Sequence, residues 1–141
     1  PDVIIFEGWC VGARAESIKT LKKDVNLMEK NEDKKLIWRK YVNNQLKKEY
    51  KQLYSKINCL LFLRAENFSL LQKWRVIQEK KLKLKNKSKK IKQKIMTKKE
   101  VLNFMQTYQR ITQNMFKYAP KYASIVIKLN SNHQINSVKY N

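Results

Sequence analysis

Three short apolar runs constrain the fold of this chain more than anything else in it. They are VIIFEGW (Val3 to Trp9), INCLLFL (Ile57 to Leu63) and ASIVIKL (Ala123 to Leu129). A short continuous run rich in β-branched residues suits a strand covered on both faces, as in a parallel sheet. The middle run is too short for a buried helix. Long stretches with helical periodicity separate the runs, and strands alternating with helices predict an open parallel α/β sheet. The whole chain has only two glycines and two prolines, so helices should dominate. Three strands make a small sheet, and the chain opens inside the first of them. The expectation is one domain with its N-terminal strands missing: residues 1–141 as the C-terminal part of a larger domain.

The helices are marked by spacing and by caps. Ser17 to Leu21 reads as a short helical piece in a polar loop. A helix is predicted from Lys34 to Ile57, its apolar face made by Trp38, Tyr41, Val42, Leu46, Tyr50, Leu53 and Tyr54. A second begins near Asn67, with Phe68, Leu71, Trp74 and Ile77 three residues apart. Thr97 and Glu100 form a capping box, with Met96 and Val101 as its hydrophobic staple. The helix they open buries Val101, Phe104, Met105, Tyr108, Ile111, Met115 and Phe116, and Pro120 closes it. After the third strand, NSNHQI reads as a polar turn leading to a ragged end.

The formal charge is +21, from 32 Lys and Arg against 11 Asp and Glu. Such an excess suits nucleic acid, an anionic membrane or a polyanionic small substrate. It is carried by lysine, whereas planar two-point recognition of phosphates or bases favours arginine. Eleven lysines and no acid lie between Glu79 and Glu100. Residues 80–99 therefore read as a lysine-rich insertion. A basic nucleic-acid-binding module using that run is an alternative function, although no aromatics interleave with it. Cys10 and Cys59 show no metal-ligand spacing and read as reduced core residues. No run approaches a membrane span, and no signal peptide is visible. These features predict a cytoplasmic protein.

Glu7 closes the first predicted strand, just before Gly8. Ligands of open parallel sheets bind at the C-terminal strand ends. A carboxylate there can hold magnesium through water, or take a proton from an attacking hydroxyl. The plain alternative is an acid that caps the turn.

The stretch EGWCVG resembles the Walker B strand of the glycerate kinase family, P-loop kinases related to uridine kinase and phosphoribulokinase. The matching residues are Glu7, Gly8, Trp9 and Gly12. Three further stretches are similar to family segments and follow in the family's order: YVNNQLKKEY, WRVIQEKKL and IMTKKEVLNFMQTYQR. The resemblance implies an ATP-dependent kinase of a small hydroxyl acceptor such as glycerate, with ATP and Mg2+ as cofactors. It implies Glu7 as catalytic carboxylate and magnesium holder, and Arg75 as the group that stabilises phosphate charge in the transition state. Gly8, Trp9, Gln78, Glu79 and His133 become substrate- or nucleotide-binding candidates, Asn44 matches a family asparagine, and the lysine-rich residues 80–99 stand where such kinases have a lid over the phosphates. Trp74 should anchor its helix in the core and aim Arg75, Gln78 and Glu79 outward. Residue by residue, the plain readings are an Arg75–Glu79 helix pair and a surface histidine.

The chain departs from the family at Gly12-Ala13-Arg14-Ala15, which leaves the acceptor side open, and at Asn58, where an aspartate is often found. No Gly-x-x-x-x-Gly-Lys-Ser/Thr loop occurs in the 141 residues. That loop supplies the backbone cradle and lysine for ATP phosphates. The chain alone is thus expected to lack kinase activity, and a non-catalytic kinase remnant is a further alternative.

Overall fold

The structure is a computed structural model that describes residues 1–86 and 95–141. In chain order it contains α1 (Ile18–Leu21), α2 (Leu27–Glu32), α3 (Ile37–Lys47), α4 (Glu49–Tyr54), β1 (Leu61–Arg64), α5 (Phe68–Asn86), α6 (Lys98–Tyr118), a 3-10 turn (Ala119–Lys121), β2 (Ile125–Leu129) and β3 (Ile135–Tyr140). The fold is α/β, with helices packed against a three-stranded mixed sheet of order β1-β2-β3. β1 and β2 pair in parallel, Leu61 with Ile125 through Arg64 with Lys128, as the apolar runs predict.

β3 was not expected. It pairs antiparallel to β2, Ile125 opposite Tyr140, where a ragged end was predicted. All six of its residues are exposed, so it shows no alternation of buried and exposed positions to read. The turn between β2 and β3 is built by Asn130, whose side-chain oxygen accepts from the backbone N–H groups of Asn132 (2.9 Å) and Gln134 (3.0 Å).

The first predicted strand is absent. Residues 1–8 form no strand, and Val3, Ile4, Ile5 and Phe6 are exposed. Composition alone does not make a strand; cross-strand pairs stabilise it, and none of the three described strands pairs with this segment.

The predicted Lys34–Ile57 helix is two helices. They part at Lys48, whose backbone (φ −107°, ψ −90°) leaves the helical region. The apolar face predicted for α3 is split: Trp38 is 55% and Tyr41 59% exposed, while Val42 and Leu46 are half-buried and Leu46 packs against a core cluster. Its fully buried residues are Arg39 and Asn43, which directly follow Trp38 and Val42. α2 forms within a predicted loop, because Asn26 caps it through its side chain.

α6 follows the sequence closely, except that Phe104, predicted to be buried, is exposed. Thr97 and Glu100 make both hydrogen bonds of the capping box. Met96 packs against the cluster that holds Val101. Val101 and Met105 are fully enclosed, each side chain contributing about 1.5–3 kcal/mol. One core cluster joins them to Phe68 and Val76 of α5. A second joins Phe62 and Val126 of the sheet to Met115 and Ala119 at the end of α6. Cys10 lies against that second cluster, and burial pushes its thiol up to about 12. Both cysteines are free, but Cys59 is exposed rather than in the core. α5 runs through Lys80 to Asn86, while residues 87–94 of the expected lid lie outside the described residues. Among the described residues no helix is long and apolar enough to cross a membrane.

Candidate functional site

Glu7, Gly8 and Trp9 lead into a turn held against α6 and β1. Trp9 stacks on Tyr108 at 5.6 Å between ring centroids, and its Nε1 donates to Thr112 Oγ1 at 3.0 Å. That makes Trp9 an anchor on α6. Gly12 has a φ of +80°, and a Cβ there would lie 2.8 Å from Leu60 Cδ2. The left-handed backbone requires a glycine here. Tyr122 Oη donates to the Gly12 carbonyl (2.9 Å) and Tyr54 Oη to the Cys10 carbonyl (3.3 Å). The turn is thus fixed on both sides.

Glu7 stands just before this anchored turn, exposed and without a hydrogen-bonding partner among the described residues. A single free carboxylate acting through water fits the way Mg2+ is held, by one or two carboxylates together with substrate phosphates. No group of three or more His, Cys, Asp or Glu side chains converges elsewhere among the described residues. A backbone cradle for ATP is a different matter, since the two glycines of the chain, Gly8 and Gly12, both lie in this one turn.

α5 brings Arg75, Gln78 and Glu79 together. Arg75 Nη2 forms an ion pair with Glu79, and Nη1 donates to Gln78 Oε1 at 3.2 Å. The helix pair therefore exists. Glu79 does not point outward as expected. It is buried, and its Oε2 accepts from the Met96 backbone N–H at 3.3 Å, which ties α5 to the start of α6. Trp74 is not the core anchor either; Val76 is. Trp74 stacks on His133 at 4.1 Å and donates from Nε1 to the Ser131 carbonyl at 3.1 Å. His133 has a φ of +63° and sits in the turn after β2, so two of the predicted elements do meet. None of the described hydrogen bonds or ion pairs joins Glu7 to the α5 group.

Sequence reasoning missed a buried ionic cluster. Glu29 accepts from Arg110 Nε (2.8 Å) and Nη2 (2.7 Å) and from the Val25 N–H (3.0 Å). Arg39 lies 3.5 Å from the same carboxylate, 2.8 Å from Asp33 and 2.8 Å from Asp24. Glu16 reaches Arg110 at 3.4 Å. Asn43, not Asn44, is the working asparagine: its side chain accepts from the Glu16 N–H (2.7 Å) and donates to the Glu16 carbonyl (3.0 Å). The cluster locks the segment after Gly12 onto α3 and α6. A signal for it existed, because only five of the 32 basic residues are arginine, the residue suited to buried ion pairs.

A cavity of about 680 Å³ opens between the end of α2 and α3, lined by Glu32, Lys34, Lys35, Ile37, Trp38 and Tyr41 among others. It contains none of the predicted site residues.

No family model and no curated relative matches the sequence. Solved structures do, among them the following two. D-glycerate 3-kinase from Cryptococcus neoformans var. grubii serotype A superposes with a TM-score of 0.74 at 21% identity, over 99% of this chain and 50% of that one. The YGR205w protein superposes with a TM-score of 0.56 at 18% identity, over 94% of this chain and 45% of that one. This chain has a kinase-like fold. It spans about half the length of the solved structures it matches.

Proposed function

We propose that this chain serves an ATP-dependent, Mg2+-requiring kinase of the glycerate kinase type, which transfers phosphate to a small hydroxyl acceptor such as glycerate. The observation that carries this reading is the superposition of nearly the whole chain on a D-glycerate 3-kinase, with EGW in sequence at an anchored turn. Glu7 supplies the carboxylate that works with magnesium or receives the acceptor's proton. Arg75 supplies phosphate charge stabilisation. A guanidinium has five N–H donors in a fixed fork, and the Glu79 and Gln78 contacts use one nitrogen each, so donors remain for a phosphate. Gln78 and Glu79 hold that fork in place. Trp9 positions the Glu7 turn through α6, and Gly8 lets the backbone pass. The Trp74–His133 stack offers a flat surface for the nucleotide base.

The phosphate-cradling loop is not within these 141 residues, so the assay belongs to the full-length protein. Glu7→Gln keeps the shape and removes the charge. It should lower turnover of ATP with glycerate by about 100-fold or more, in line with the loss of a positioned acid–base group. Near wild-type turnover would remove Glu7 from the mechanism.

A further inference from the structure

Arg64 ends β1, at the C-terminal edge of the parallel pair. Its Nε is buried and has no hydrogen-bond partner among the described residues. Buried polar groups are nearly always paired, and an orphan calls for an explanation such as an absent ion. By the two-residue period of a strand, Arg64 shares the face of Phe62, which packs into the core against α6. Its partner in register on β2 is Lys128, exposed and on the face of Val126. Two like charges side by side on adjacent strands repel. No described carboxylate forms an ion pair with either one.

Such an arrangement stabilises the fold only if something negative sits against it. The edge concerned is the one where open parallel sheets bind their ligands. The turn that follows β2 leaves from this same edge and is tied to α5 by the Trp74–His133 stack. Guanidinium forks match phosphate oxygens geometrically, while a neighbouring ammonium adds a point charge.

We infer that Arg64 and Lys128 form a phosphate-binding corner at the end of the β1–β2 pair. It takes a phosphate group of a nucleotide or of a phosphorylated small acceptor. The inference rests on the kinase reading only for the source of that phosphate.

The test is calorimetric titration of the 141-residue chain with inorganic tripolyphosphate, without metal, in low salt. One site per chain is expected. Arg64→Gln should weaken binding by about tenfold or more, the loss of charge-assisted hydrogen bonds. Lys128→Gln should weaken it by about two- to fivefold, as an exposed charge does. Lys19→Gln, a charge-matched change on α1, should stay within about twofold of wild type. Lys128 is exposed, so its variant decides the matter if Arg64→Gln does not fold. Many weak sites, or equal losses in all three variants, would mean diffuse attraction to a lysine-rich surface and would overturn the corner. No binding would overturn it as well.

Competition then identifies the source. Displacement by ATP assigns the corner to the phosphate donor, and displacement by 3-phosphoglycerate to the acceptor side. Displacement by neither removes the assignment to a phosphoester. Loss of the kinase reading in the Glu7→Gln assay leaves the tripolyphosphate result standing.

Discussion

At the residue scale, the five arginines separate themselves from the lysines by use. Arg14 lies 3.7 Å over the Tyr122 ring. Arg39 and Arg110 are enclosed among carboxylates, Arg75 is paired along α5, and Arg64 ends β1. Glu29 is the hub of the enclosed set, since both buried guanidiniums lean on its carboxylate. Glu29→Gln should cost about 3–5 kcal/mol, because it leaves buried charge uncompensated; urea unfolding midpoints measure this. Glu16 should behave differently. Burial, reinforced by the Glu29 charge and only partly offset by Arg110, holds its carboxyl above the ordinary 4.5. A raised acid loses stability as pH rises through its folded value. Glu16→Gln should therefore be neutral or mildly stabilising at pH 7, and a loss as large as that of Glu29→Gln would refute this split. Asp33 has the opposite sign. Burial pulls its carboxyl up, but hydrogen bonds from the Arg39 side chain and from the Trp38 and Arg39 backbone N–H groups together outweigh that and hold it below 3.8. Its contribution is present above 3.8 and fades as pH falls through the folded value. Acid titration of the circular dichroism signal should show a shallower loss below that pH in Asp33→Asn.

At the element scale, what could be read depended on whether the deciding interaction was local. α6 was readable because its start is written in four residues, Thr97 to Glu100, and its apolar stripe supplies both core clusters. Thr97→Ala should cost about 1 kcal/mol through the lost cap, visible as a lower thermal midpoint. An unchanged midpoint would mean that packing alone sets where α6 begins. α3 was misread in part because its most buried residues are polar, and hydrophobic periodicity cannot announce Arg39 and Asn43. The parallel pairing of β1 and β2 was readable from two apolar runs spaced by helices. β3 was not, since it rests on ladder hydrogen bonds to a strand already formed. In the candidate site, the contacts among Arg75, Gln78 and Glu79 followed from spacing alone. The meeting of Trp74 with His133 did not, because it depends on where the β2–β3 turn falls.

At the scale of the whole molecule, two exposed apolar stretches outside the helices stand out among the described residues. One is the Val3–Phe6 run, with Ile5 87% exposed. The other is the outer face of β1, where Leu61 and Leu63 are exposed and no described strand pairs on the far side. A β-branched run without proline and an open sheet edge are together a template for pairing between chains. The +21 charge opposes such contacts by repulsion at low ionic strength, and salt weakens that repulsion. The 141-residue chain should therefore remain dispersed at low salt and self-associate as salt rises, followed by light scattering. Ile5→Lys places a charge inside the run and should delay the onset without lowering the thermal midpoint, since Ile5 is so little buried. A falling midpoint would show that the run is packed in solution. An unchanged onset would shift the blame to the β1 edge, where Leu63→Lys is the corresponding change.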